Sequence, residues 1–156
     1  SAVVNGFGLG AIDGEITVNV TPGNSLVAST VDLGSIRQAE QAITAPISRI
    51  ESYCRKHDIQ HISILKIDVE GAEHLVMDGL GSIQPDLIQW EMGEANACTR
   101  VLLKDYYDRL PGYAIAKLTR DGVAFRSYSP ALEGFALSNW IAVRRQSLWE
   151  KMLAAG

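Results

Sequence analysis

The sequence is poor in cysteine, and its only two, Cys54 and Cys98, form no paired motif. So few cysteines exclude a disulfide scaffold and a cysteine-based zinc site, and they favour a reducing compartment. The sequence also lacks any apolar run near the roughly 18 residues that a membrane-spanning helix needs. No basic segment followed by an apolar one opens it, so no signal peptide is predicted. We therefore expect a cytoplasmic protein that does not enter a membrane.

Basic residues are scarce and scattered. The first one is Arg37, and the only adjacent pairs are Arg55-Lys56 and Arg144-Arg145. With 14 basic and 18 acidic residues, the formal net charge is −4. Nucleic acids and anionic membrane surfaces attract clustered positive charge, which this sequence does not offer. The composition therefore argues against both as partners.

The length and hydrophobicity are those of one folded domain. The chain has 156 residues, of which 47% are hydrophobic and 21% are charged. These values exclude wholesale disorder and allow one real core. No internal repeat or low-complexity tract divides the chain, so we treat residues 1–156 as a single domain.

The first part of the chain reads as β structure with turns. Residues 15–20 alternate polar and apolar side chains after an Asp-Gly turn signal, which predicts a strand. Residues 23–40 are rich in glycine, serine and other small residues and predict a loop, and residues 42–47 can form another short strand. Ser48 and Glu51 fit a capping box, which predicts a helix that continues to His57.

The rest of the chain alternates strands with helices. Two apolar runs of strand length, 62–67 and 87–90, are typical of buried parallel strands. A helix is predicted after Gly71. The remaining predicted elements are a helix over 103–110, strands over 113–118 and 123–128, a strand over 139–144 and a helix over 148–153. This alternation indicates an α/β domain with a largely parallel sheet.

Acidic residues follow both buried strands, Asp68 after the first and Glu91 after the second. Because ligands of an open α/β sheet bind beyond the carboxyl ends of the strands, these side chains should converge on one crevice, together with Glu70. A second interpretation is that Asp68 only caps the next helix and that Glu70 and Glu73 are first-turn carboxylates favoured by its dipole. Periodicity alone leaves both interpretations open.

The other candidate sites are weaker. Residues 5–10 contain Gly-x-Gly-x-Gly, but a nucleotide loop needs a helix after it, and a strand is predicted there. A glycine-rich turn is the better interpretation, and it leaves a nicotinamide-dependent oxidoreductase poorly supported. His57, His61 and His74 share no metal-ligand spacing, so no metal site is predicted, and His74 is expected at the surface.

Residues 64–73 read ILKIDVEGAE, and this segment resembles the FkbM family of S-adenosylmethionine-dependent methyltransferases. That family carries an L-K-[IV]-D-[VI]-E-G-x-E segment, then a helix, a proline and a strand that ends in Glu. Residues 85–91, PDLIQWE, repeat that order. Residues 9–15 and 139–143 are similar to the turn after the third core strand of the family and to its last strand. The resemblance spans about residues 4–145.

The resemblance implies a Rossmann-like methyltransferase sheet with strand order 3-2-1-4-5-7-6. Residues 62–67 would then be strand four, residues 86–91 strand five and residues 139–144 strand seven. The first two strand–helix units of the family, with its glycine loop and ribose-binding acid, should precede Val4, and the sequence does not contain them. The strand at 62–67 would thus be left as a bare edge, which we expect a second chain or a reorganised sheet to cover.

The resemblance also implies the function, which is methyl transfer from S-adenosylmethionine to a small-molecule hydroxyl on a sugar or polyketide-like compound. Asp68 is then the first candidate for the base or orienting group, with Glu70 and Glu91 contacting the acceptor or holding Asp68. No metal is required. Because the nucleoside-gripping pieces are absent, we expect the 156-residue form to bind the cofactor weakly and to be inactive. The alternative is a non-catalytic fragment or degenerate relative that acts as a binding or oligomerisation module.

Overall fold

The computed structural model describes residues 2–21, 24–29 and 41–154. Within these ranges the chain forms two β-sheets and five α-helices. No helix of the described part is long and apolar enough to cross a membrane.

The first sheet has four strands, in the order β1-β4-β2-β3. Its strands are β1 (Gly8–Leu9), β2 (Gly14–Thr21), β3 (Asn24–Ser29) and β4 (Gln41–Ser48). The alternating pattern of residues 15–20 and the short strand at 42–47 are thus confirmed, and the two pair antiparallel along their length. The loop prediction is wrong for β3, which pairs antiparallel with β2. Residues 23 and 30–40 lie outside the described part.

The remaining elements build a second sheet with its helices. In chain order they are α1 (Ile50–Lys56), β5 (Ile64–Lys66), α2 (Glu73–Asp78), β6 (Leu87–Met92), α3 (Glu94–Thr99), α4 (Leu103–Arg109), β7 (Tyr113–Thr119), β8 (Gly122–Phe125), β9 (Ser138–Arg144) and α5 (Leu148–Ala154). The strand order is β5-β6-β9-β7-β8. The helix α3 is the one α-helix that the sequence did not predict.

The prediction of a largely parallel sheet is wrong for this second sheet. Only β5 and β6 pair in parallel, while β9 runs antiparallel to both of its neighbours and β7 and β8 form a hairpin. A tight turn at Gly122 joins that hairpin, and a hairpin cannot be parallel. The order β5-β6-β9-β7 is nevertheless compatible with strands 4-5-7-6 of the sheet that the resemblance implies. That two further strand–helix units belong before them stays a prediction.

Both faces of the second sheet are covered. On one face Ile88, Trp90 and Met92 of β6 are almost fully buried, and the ring of Trp90 stacks on Tyr106 of α4 with centroids 5.2 Å apart. On the other face a smaller cluster that includes Ile141 packs against α5. Each large side chain buried in this way contributes about 1.5–3 kcal/mol of hydrophobic stabilisation. The edge strand β5 is less protected, since Ile64 is 53% exposed.

The start of α1 differs from the predicted capping box. Arg49 is the N-cap residue, and no side chain of the predicted box bonds a first-turn amide. The Ser48 hydroxyl donates instead to Oδ1 of Asp13 at 2.8 Å, and the Arg49 amide donates to the same oxygen at 2.9 Å. Glu51 accepts a hydrogen bond from the Ser82 amide at 3.1 Å. Ser48 and Glu51 therefore form hydrogen bonds with residues distant in the sequence and not with each other's backbone amides. Asp13, in the turn before β2, links the first sheet to the start of α1.

The glycine-rich segment 5–10 makes a close contact with the end of α2. A Cβ atom at Gly79 would lie 2.0 Å from the carbonyl oxygen of Gly10, so the two backbones touch there. The Gly10 amide donates to the Ser48 carbonyl at 3.0 Å. The segment contains the short strand β1 and leads into β2 and not into a helix, so it lacks the helix that a nucleotide loop needs.

Candidate active site

A cleft of about 400 Å³ opens beyond the carboxyl ends of β5 and β6. The turn between β5 and α2, the start of α3 and the segment before β9 form its walls. The residues that line it are Glu70, Gly71, Glu73, Glu91, Gly93, Glu94, Ala95, Asn96, Phe135, Ala136 and Leu137. Two of the three predicted site residues, Glu70 and Glu91, therefore share one cleft at the predicted edge of the sheet.

A tight turn carries Glu70 into the cleft. Glu70 has φ +55° and Gly71 has φ +100°, both in the region that favours glycine. Gly71 is required there for a second reason, because a Cβ atom on it would lie 2.8 Å from Cβ of Ala95 in α3. A left-handed conformation costs a non-glycine residue such as Glu70 about 1–2 kcal/mol, which the surroundings must supply.

Glu73 supplies part of that support. Its carboxylate accepts hydrogen bonds from the Val69 amide at 3.2 Å and from the Gly71 amide at 3.1 Å. The side chain is only 2% exposed, and this burial raises the pKa of Glu73 although the amide donors act in the opposite direction. Glu73 lies in the first turn of α2, as the second interpretation of the sequence had it, and it is also a buried group that holds the turn of Glu70.

The pKa of Glu91 depends on burial and on the charges of its acidic neighbours. Burial is the largest cause that raises the pKa of Glu91, followed by the charges of Asp68, Glu70 and Glu73. Lys66 acts in the opposite direction with a smaller effect. This group therefore binds a proton more readily than an ordinary glutamate, as expected of carboxylates that share one crevice.

Asp68 lies beside the cleft and is absent from its lining. Its side chain is 53% exposed and forms an ion pair with Lys66. The interpretation of Asp68 as a helix cap is wrong, because α2 begins after Ala72 without a capping side chain. Asp68 thus acts on the cleft through its charge on Glu91.

The start of α3 forms a rigid wall that sequence reasoning missed. Asn96 is 1% exposed, and its side-chain oxygen accepts from the Gly93 amide at 2.8 Å. The Asn96 side-chain nitrogen donates to the hydroxyl of Tyr106 at 3.3 Å. Burial and then the charge of Glu73 raise the pKa of Tyr106, so the phenol stays protonated. A polar residue three positions after Gly93, the residue that follows β6, was the available signal in the sequence.

The third wall is apolar. Phe135 and Leu137 are 38% and 74% exposed, and Leu137 packs over Gly93, with its Cδ1 3.3 Å from where a Cβ of Gly93 would be. Just before them, Glu133 accepts hydrogen bonds from the Leu103 and Lys104 amides at 2.9 Å each. These bonds fasten the segment to the first turn of α4.

The histidines lie outside the cleft lining. His61 contacts the carboxylate of Asp86 at 2.8 Å, where Arg144 also donates to Asp86. His74 is half-buried, so its predicted surface position is wrong, and burial lowers its pKa. Within the described ranges no group of three or more His, Cys, Asp or Glu residues is arranged to hold a metal ion.

The chain matches the family described as the methyltransferase FkbM domain over residues 6–110, which is more than half of its length. The matched range contains the turn of Glu70, the strand that ends near Glu91 and the helix α3. The apolar segment 135–137 lies beyond it. No curated protein and no solved structure matches the chain.

Proposed function

Because the chain belongs to the FkbM methyltransferase family, we propose that it transfers the methyl group of S-adenosylmethionine to the oxygen of a small-molecule hydroxyl. The observation that most supports this proposal is the cleft itself. The family segment at residues 64–73 carries Glu70 to the same cleft in which β6 delivers Glu91. The class of acceptor, a sugar or a polyketide-like compound, is proposed from the resemblance alone.

The cleft fits the charged end of the cofactor. S-adenosylmethionine supplies an electrophilic methyl group on a positively charged sulfur, and Glu70 and Glu91 offer carboxylates that would stabilise that charge. After burial, which is the largest cause, the charges of Asp68, Glu70 and Glu73 also raise the pKa of Glu91, as a negative potential in the cleft would. Among the described residues the glycine-rich segment 5–10 leads into a strand and not into a helix, so it does not form the glycine loop that would hold the nucleoside. We therefore expect this 156-residue chain by itself to bind the cofactor weakly.

The chain's own residues have distinct roles in the proposed reaction. Glu91 accepts the proton of the acceptor hydroxyl, since its raised pKa brings it toward neutral pH, where a base is most effective. Glu70, on the turn that precedes α2, orients the hydroxyl in the same cleft. Asp68 is a positioning residue that tunes Glu91 through its charge, and it remains a candidate for direct contact with the acceptor.

The proposal is tested by transfer of a labelled methyl group from S-adenosylmethionine to a panel of sugar and polyketide hydroxyl compounds, with the full reading frame that contains this chain. Glu91→Gln should lower turnover about 100-fold, as loss of a general base does. Asp68→Asn should lower it strongly while the fold stays intact. Glu15→Gln, the same charge change in β2, is the matched control. Unchanged turnover in Asp68→Asn would remove Asp68 from the mechanism.

A second candidate function is a binding or oligomerisation module. It is favoured by β5, an edge strand on which Ile64 is 53% exposed. Exposed apolar edges pair with other chains. A dimeric mass together with no cofactor binding and no methyl transfer by the full reading frame would favour this candidate over the enzyme.

A further inference from the structure

The apolar wall of the cleft has the features of a prepared contact surface. Single exposed apolar residues are common on proteins, but Phe135 and Leu137, two positions apart in the chain, line the same cleft as four glutamates. Their segment is fastened by the two hydrogen bonds of Glu133 and by the contact of Leu137 with Gly93. Such a surface can receive an apolar group without first being ordered.

The charged residues of the cleft are all of one sign. Glu70, Glu73, Glu91 and Glu94 line it, and no lysine, arginine or histidine does so among the described residues. Lys66 is the cation whose charge lowers the pKa of Glu91, and it already forms an ion pair with Asp68. A ligand with a carboxylate or phosphate would therefore bring like charges together without a compensating cation.

From these two walls we infer that the acceptor is an amphipathic molecule, uncharged or cationic but not anionic. Its apolar body lies on Phe135 and Leu137, and its polar end faces Glu91. That this molecule is the methyl acceptor rests on the proposed function. That the cleft prefers an uncharged or cationic ligand with an apolar body rests on the residues that line it. Because residues 135–137 lie beyond the range that matches the family, this wall is a property of the chain and not of the family match.

The inference can be tested by binding alone. Three probes share a hexyl tail and a glucose-derived ring but differ in charge: hexyl glucoside is neutral, hexyl 2-amino-2-deoxyglucoside carries an ammonium group at C2 and hexyl glucuronide carries a carboxylate at C6. Each is titrated into the isotope-labelled 156-residue chain without cofactor, and the amide shifts of Gly93 and Leu137 are followed. The ammonium probe should bind about tenfold more tightly than the glucuronide, because one favourable contact with a carboxylate replaces one unfavourable contact.

Two pairs of variants test the apolar wall and the acidic residues of the cleft separately. Leu137→Ser should weaken all three probes by about fivefold, because the apolar area that they bury is lost. Ile12→Ser removes a side chain of 53% exposure from the turn before β2 and should change nothing. Glu91→Gln should narrow the ratio between the cationic and anionic probes, whereas Glu15→Gln should preserve it.

Each contrary result has a definite meaning. Equal binding of the glucuronide and the ammonium probe overturns the charge preference, and an unchanged affinity in Leu137→Ser overturns the apolar wall. Binding of no probe, or shifts confined to residues outside the cleft, overturns the inference as a whole. Probes that bind as expected but gain no methyl group when the full reading frame and S-adenosylmethionine are supplied contradict the proposed function and leave the selectivity of the cleft standing.

Discussion

Replacing Gly79 with alanine should destabilise the protein far more than a glycine-to-alanine change usually does. Gly79 has φ −77° and ψ −7°, so its backbone is accessible to alanine without strain. The difficulty is space, because the added Cβ would lie 2.0 Å from the Gly10 carbonyl oxygen and 3.0 Å from its carbonyl carbon. Both obstructing atoms belong to the backbone, so the chain itself must move by more than an ångström.

That displacement has a calculable cost. Forcing an extra methyl group into a packed contact costs about 1–3 kcal/mol. The same movement strains the hydrogen bond from the Gly10 amide to the Ser48 carbonyl and the one from the Glu51 amide to the Gly79 carbonyl, each about 1 kcal/mol. Together the free energy of unfolding should fall by about 3–5 kcal/mol, a large part of the stability of a small domain.

Urea denaturation followed by circular dichroism measures the effect. Gly112→Ala is the matched control, since a Cβ there meets nothing within 4 Å. Gly10→Ala should be intermediate, because its Cβ would meet the movable Cδ1 end of Ile47 at 2.5 Å. With a slope of about 2 kcal/mol per molar urea, Gly79→Ala should lower the midpoint by about 1.5–2.5 M relative to Gly112→Ala. Equal midpoints for the two variants would refute the contact between the glycine-rich turn and α2.

Three further predictions concern charged groups. Glu73→Ala should lower the free energy of unfolding by about 2–4 kcal/mol, because the amides of Val69 and Gly71 lose their acceptor. Because burial raises the pKa of Glu73, the free energy of unfolding of the wild-type protein, measured in urea, should fall as the pH rises above 4.5. Glu73→Gln should remove this pH dependence. Asp86→Asn should lower the free energy of unfolding by about 1–2 kcal/mol near neutral pH, because the Arg144 hydrogen bond lowers the pKa of Asp86. The difference in free energy of unfolding from wild type should shrink as the pH falls below 3.8. A difference that persists at lower pH contradicts the ion pair. In methyl-transfer assays the acid limb of the rate should lie above pH 4.5 and should move to lower pH in Asp68→Asn, and a limb that stays in place would show that Asp68 does not act on Glu91.

The sequence allowed the prediction of those elements whose signals are local. The apolar run of β6 and the alternation of β2 depend on side chains within a few residues of each other, so periodicity was sufficient. The same holds for the convergence of Glu70 and Glu91, which follows from the ends of two adjacent parallel strands. The run over residues 62–67 forms only the short strand β5, on which Ile64 is 53% exposed, so its prediction as a buried strand is wrong. The position of β9 between β6 and β7 has no such signal in periodicity, and it was reached only through the family resemblance.

Long-range choices account for what the sequence did not show. The sequence around Ser48 predicted a local capping box, but the Ser48 hydroxyl donates its hydrogen bond to Asp13, 35 residues away. Glu73 has the sequence context of a solvated first-turn acid, and only the left-handed turn at Glu70 and Gly71 explains its burial. Phe135 and Leu137 carry no periodic pattern, so nothing short of the tertiary structure places them at the cleft.

The central position of β9 has a consequence during biosynthesis. The ribosome finishes β6, β7 and β8 well before it releases residues 138–144, the strand that joins them. Until then two hydrogen-bonding edges stay open around some of the most apolar parts of the nascent polypeptide, which is a state prone to aggregation. A translation product halted before Arg144 would lack the strand that unites the two halves of the sheet, so chaperone capture should be strongest for such incomplete chains.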